Sequence, residues 1–161
     1  MTGAVPLPKP APLLARTVGH VRLVVGAAWA GSLWTVGYLV APTLFKTLES
    51  TQAGAIAGSV FRVQGMVGIV CAALMLVLLA LSRSMDAKLR LSLRLVVVAM
   101  LLCAAANLLA LQPMMAELKA AAQGGVLVGE LKTRFGMLHG VSMLVHLLQS
   151  ALAVFLVIKN R

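Results

Sequence analysis

Four apolar runs of about twenty residues each constrain this chain more than any other feature. They cover residues 20–41, 60–81, 91–112 and 135–158. A helix rising about 1.5 Å per residue needs about 20 residues to cross a ~30 Å hydrocarbon core. The expected fold is therefore all-α: a polytopic membrane protein built as a four-transmembrane-helix bundle. Composition points the same way. The chain is 61% hydrophobic and 11% charged, whereas soluble domains have about half their residues apolar and about a quarter charged.

The net charge of +10 would suggest nucleic acid in a soluble protein. Here the basic residues stand at the ends of the apolar runs, where they orient the chain and meet anionic head groups. The expected partner is the lipid bilayer, with no nucleic acid. With four spans, both termini share one side. That side holds Lys9, Arg16, Arg22, Arg83, Lys88, Arg90, Arg94, Lys159 and Arg161, nine basic residues. The other side holds Lys46, Arg62, Lys119, Lys132 and Arg134, five. Nine against five predicts an inner-membrane protein with both termini in the cytoplasm.

Residues 1–19 read as a Pro-rich flexible tail, since Pro6, Pro8, Pro10 and Pro12 alternate and oppose helix formation. Residues 20–161 form the transmembrane domain. Ala28-Trp29-Ala30 imitates a signal cleavage site, but the apolar run continues past it to Val40 and is expected to stay as a span. Gly26/Ala30 and Ala27/Gly31 are small pairs spaced for close helix packing. Pro42 is expected to end the first helix, with a short amphipathic segment after it, and Pro113 introduces a second such segment. The two halves thus share a plan: span, proline, short amphipathic piece, then a span led by Phe61 or Phe135. A duplication of this kind would be a parallel repeat about an axis along the membrane normal.

Candidate chemistry sits inside the spans. On the fourth, His139, Ser142, His146 and Gln149 recur at i, i+3, i+7 and i+10, which places them on one narrow helix face. Polar groups facing lipid are costly, so this stripe should face other helices or water. With Asn107 and Gln64 it outlines a polar intramembrane region able to bind a ligand. The competing expectation is a seam of interhelical hydrogen bonds that sets helix register. His139, His146, Met114 and Met115 are candidate ligands for a soft metal. The two histidines stand about 10 Å apart along the axis, too far to share one ion. His20 lies at the opposite end of its span, too distant in depth to join them. Cys71 and Cys103 fall inside apolar runs, where thiols act mostly as small packing residues. Trp29 lies near mid-span and Tyr38 near an interface. The sequence contains no CxxC, HExxH, Walker loop or GxSxG. No catalytic residue and no cofactor are expected.

Four landmarks in order carry a family resemblance. They are Trp29-Ala30-Gly31-Ser32-Leu33-Trp34 with Ala41-Pro42-Thr43-Leu44-Phe45; Ala53-Gly54-Ala55-Ile56-Ala57-Gly58 with Phe61; Leu111-Gln112-Pro113-Met114-Met115; and Phe135-Gly136-Met137-Leu138-His139-Gly140-Val141-Ser142. From about His20 onward the chain resembles the bacterial branch of the transmembrane protein 205-like family, four-helix membrane proteins of unknown function. The resemblance implies a four-helix inner-membrane protein and brings no catalytic residue with it. The link of eukaryotic relatives to platinum-drug resistance implies soft-metal handling as one possibility. The expected function is that of a non-enzymatic binding or accessory component, acting as a homo-oligomer or with a membrane-protein partner. The alternatives are a soft-metal or small-solute transporter acting as a homo-oligomer, and a haem-bearing membrane oxidoreductase subunit.

Overall fold

A computed structural model describes residues 13–122 and 126–160. Among these residues the fold is all-helical. Its elements are α1 (Leu13–Trp34), α2 (Ala41–Thr47), α3 (Ser50–Leu81), α4 (Ala87–Ala106), α5 (Gln112–Ala121) and α6 (Gly129–Lys159). A π turn, Thr35–Val40, joins α1 to α2, and a second, Asn107–Leu111, joins α4 to α5. Four continuous helical stretches result, Leu13–Thr47, Ser50–Leu81, Ala87–Ala121 and Gly129–Lys159, each long and apolar enough to cross a membrane.

The two π turns correct the expectation that Pro42 ends a helix. A proline ring inside an α-helix collides with the carbonyl four residues earlier and offers no N–H to it. Widening the preceding turn removes the collision while the helix continues. The Ala41 N–H accordingly bonds to the Val36 carbonyl, and the Gln112 N–H to the Asn107 carbonyl, both five residues back. The amphipathic segments α2 and α5 therefore continue the spans before them and are not separate pieces. The helix also starts earlier than its apolar run: Leu13 to Gly19 form the first turns of α1, within the stretch assigned to the tail. The rest of that stretch, residues 1–12, lies outside the described residues. Similarly, α3 begins at Ser50, ten residues ahead of the expected span, and α6 begins at Gly129 with φ +53°.

The four long stretches pack in a ring. α1 packs against α3 and α6, and α4 packs against the same two. The near end of the ring carries Leu13, the turn 82–86 and Lys159; the far end carries Pro42 and Pro113. Asp86 caps α4 at the near end by accepting from the Leu89 N–H at 2.9 Å, a bond typically worth about 1 kcal/mol. The core comes from all four helices: Trp29 and Leu33, Met75 and Leu79, Leu93, Val97 and Met100, and Ala153 and Leu156. Outward positions such as Val70, Leu95, Leu102 and Leu144 are exposed, which suits a surface bathed in lipid.

The halves share more than a plan. Aligning Pro42 with Pro113 is an offset of 71 (113 − 42). It places Arg22, Gly26, Trp29 and Leu33 on Leu93, Val97, Met100 and Ala104, and all eight are buried. Aligning Phe61 with Phe135 places Met75 and Leu79 on Gln149 and Ala153, again all buried. It also places Gly68 and Ala72 on Ser142 and His146. The polar stripe of α6 thus occupies the register in which α3 presents its small residues to the core.

Candidate functional site

The stripe on α6 divides by depth. Gln149, 2% exposed, donates from Nε2 to the Met100 carbonyl of α4 at 3.2 Å. Ser142 donates its hydroxyl to Asn107 Oδ1 at 2.6 Å, tying α6 to the first residue of the second π turn. Each bond joins groups from different helices and uses polar capacity that would otherwise be unsatisfied in an apolar interior. Interhelical bonds of this kind contribute about 0.6–1.7 kcal/mol each.

His146 sits against the first π turn. Its ring meets Tyr38 edge-on at 5.9 Å and Phe61 edge-on at 5.5 Å between centroids. A Cβ on Gly37 would overlap His146 Nε2, so glycine is what lets the imidazole close onto the backbone of the turn. Nε2 is buried with no hydrogen-bond partner among the described residues. Gln64, 7% exposed, likewise has an unpartnered Nε2. So does Trp29 Nε1, which faces the point where Gly68 would carry a Cβ, 3.2 Å away.

His139 does not join this group. It is exposed, and its ring stacks on Phe135 at 6.0 Å with 7° between planes. Lys119 joins this cluster: its Nζ lies 5.2 Å from the Phe135 centroid and donates to the Gly54 carbonyl at 3.1 Å. His139 therefore belongs to an interfacial cluster of α5, α6 and the start of α3. His20 is exposed near the opposite end.

The candidate metal ligands are dispersed. Met114 is 47% exposed and Met115 half-buried on α5, away from the His146 pocket on the Tyr38 and Phe61 side. Cys71 and Cys103 are both free thiols. Among the described residues no three of His, Cys, Asp and Glu come together in a group that could hold an ion.

Sequence reasoning missed the most heavily bonded polar group of the near end. Arg22, assigned only an orienting role, is 6% exposed and binds Asn160 and Ser82, from α6's end and α3's end. Its one signal was its position, an arginine two residues into an apolar run with valine and leucine on both sides.

Residues 24–124 match the domain of unknown function DUF4149, which is more than half of the chain. The chain belongs to that family. No curated protein and no solved structure matches it. The matched segment holds α1 from Val24 onward, α2 to α5, both π turns, Pro42, Pro113, Gln64 and Asn107. It stops before α6, so His139, Ser142, His146 and Gln149 lie beyond it.

Proposed function

We propose that this chain is a non-enzymatic binding component of the inner membrane that pairs with a second copy through the groove between α1 and α3. One observation carries the reading. A groove of about 380 Å³ runs between these helices, lined by Ser32, Val36, Ser59, Val63, Gln64 and Val67. The edges beside it are small. At Gly31 and Gly58 a Cβ would meet nothing within 4 Å, so a neighbouring helix backbone can approach both. In a two-fold pair one surface serves as both ridge and groove, and α1 with the π turn after it supplies both here: Ala27/Gly31 as ridge, Ser32 and Val36 as groove wall.

Ser142, Asn107 and Gln149 are engaged by neighbouring helices, and the exposed outer face beside the groove is where a partner helix would meet the chain. Orientation follows the charge count: nine basic residues on the side of the termini against five favours cytoplasmic termini in the inner membrane. Assignment to the bacterial branch of the transmembrane protein 205-like family draws support from the landmarks, three of the four falling within residues 24–124.

Thiol crosslinking in membranes tests the pairing. In a Cys71→Ser, Cys103→Ser background, Val63→Cys places a thiol on the groove and Leu95→Cys places one on α4; both parent residues are exposed. A bifunctional thiol reagent should give a dimer of the 16.8 kDa chain from Val63→Cys and monomer from Leu95→Cys. Monomer from both, or equal dimer from both, would remove the α1–α3 interface.

A further inference from the structure

Arg22 is a buried cation facing only neutral acceptors. Nε donates to Asn160 Oδ1, Nη1 to Ser82 Oγ at 2.9 Å, and Nη2 to the Asn160 carbonyl at 3.4 Å, with Met85 Sδ 3.9 Å from Nη1. Among the described residues no carboxylate pairs with it. The ion pair found there, Arg134 with Glu130, is at the far end. Asp86, the acid of the adjoining turn, is exposed and turned to the Leu89 N–H.

Two more arginines converge on the same end of α3. Arg90 Nη1 donates to the Ser82 carbonyl at 3.2 Å, and Arg94 Nη2 to the Leu79 carbonyl at 3.5 Å. A helix C-terminus offers the equivalent of about half a negative charge. Three guanidiniums bring three positive ones, so the cluster retains a large excess of positive charge. Burying a cation without an anion is unfavourable, and arginine's planar fork matches a phosphate. A cavity of about 230 Å³ opens beside Arg22, walled by Gly19, Ser82, Ser84 and Met85 among others. It lies at the near end, where the helices leave their apolar runs, which is the level of lipid head groups.

We propose that this cavity binds a phosphate group, supplied by the head group of an anionic phospholipid, with Arg22 as the charged donor in its wall, Arg90 and Arg94 adding positive charge at the adjoining end of α3, and Ser84 as an exposed residue of its lining. The proposal stands independently of the α1–α3 groove.

The test uses the full chain reconstituted in phosphatidylglycerol or phosphatidylcholine vesicles, and in neutral detergent with or without inorganic phosphate. The readout is the thermal unfolding midpoint. Ser84 is exposed, so Ser84→Glu places an anion in the lining without disturbing the core. Lys88→Gln makes the same change in net charge outside the cavity. The wild type should unfold at a higher temperature in phosphatidylglycerol than in phosphatidylcholine. Ser84→Glu should lose that increment and Lys88→Gln should keep it. Arg90→Gln should raise the half-saturating phosphatidylglycerol fraction about two- to fivefold, as loss of one neighbouring positive charge at a partly exposed site implies. Equal midpoints in the two vesicles, with stabilisation by inorganic phosphate that Ser84→Glu abolishes, would support the phosphate site and assign it to a soluble phosphate. No response to either probe, or a phosphatidylglycerol increment that survives Ser84→Glu, would overturn the proposal.

Discussion

Gly37 and His146 show how one residue can depend on another far along the chain. The imidazole lies where a Cβ on residue 37 would have to be, and the closely packed interior leaves it little room to move. Gly37→Ala should therefore destabilise the protein by about 1–3 kcal/mol, the usual cost of overpacking. In a His146→Ala background the same substitution should cost much less, because the obstructing ring is gone. Unfolding midpoints of the four proteins in detergent form the cycle that checks this. Additive effects would show that the ring does not close onto the turn. At this scale the sequence showed which residues were polar but not their partners. His139 and His146 share one helix face, yet about 10 Å of axial rise separates them. His146 meets the first π turn and α3, while the exposed His139 stacks on Phe135.

The π turns are the informative elements. Each lies two residues before a proline, and each sets the depth of a polar group: Gly37 in the first faces His146, and Asn107 opens the second. Asn107 bonds Ser142 at 2.6 Å. A double-mutant cycle with Asn107→Leu and Ser142→Ala should show a coupling of about 0.6–1.7 kcal/mol, the range for interhelical bonds in membranes. A coupling indistinguishable from zero would mean the two groups do not hold α4 to α6. The prolines are plain in the sequence, and taken alone they predict helix ends. What kept the helix going is that a wider turn removes the ring's clash with the carbonyl four residues back. The gain from an unbroken helix in lipid, where free backbone groups are costly, favours that solution.

At the scale of the whole molecule, Arg22 closes the ring at its near end. It links the middle of α1 to the last residue described in the chain, Asn160, which in turn donates from Nδ2 to the Arg22 carbonyl at 2.9 Å. Arg22→Leu removes donors from Asn160 and Ser82, both buried. Each buried group left unsatisfied costs about 1–3 kcal/mol. A lowered unfolding midpoint is expected, with Arg22→Lys falling between it and the wild type. Arg83→Leu, at an exposed site in the adjoining turn, should stay within about 0.5 kcal/mol of the wild type. If Arg22→Leu matched Arg83→Leu, the buried network would carry no stability.

The all-helical class and the four helices long and apolar enough to cross a membrane follow from the sequence alone. They depend on run length and on periodicity, both local properties of a chain in lipid. The plan shared by the two halves, a span, a proline and a short amphipathic segment, is visible for the same reason. The tertiary structure decided three things that periodicity does not carry. It set which stripe residues meet a partner, because that depends on the depth at which neighbouring helices cross. It kept the helices continuous through Pro42 and Pro113, because the cost of ending a helix there exceeds the cost of a π turn. And it made Arg22 a buried centre instead of a surface charge, because only the packed ring brings Ser82 and Asn160, 60 and 138 residues away, to a single guanidinium.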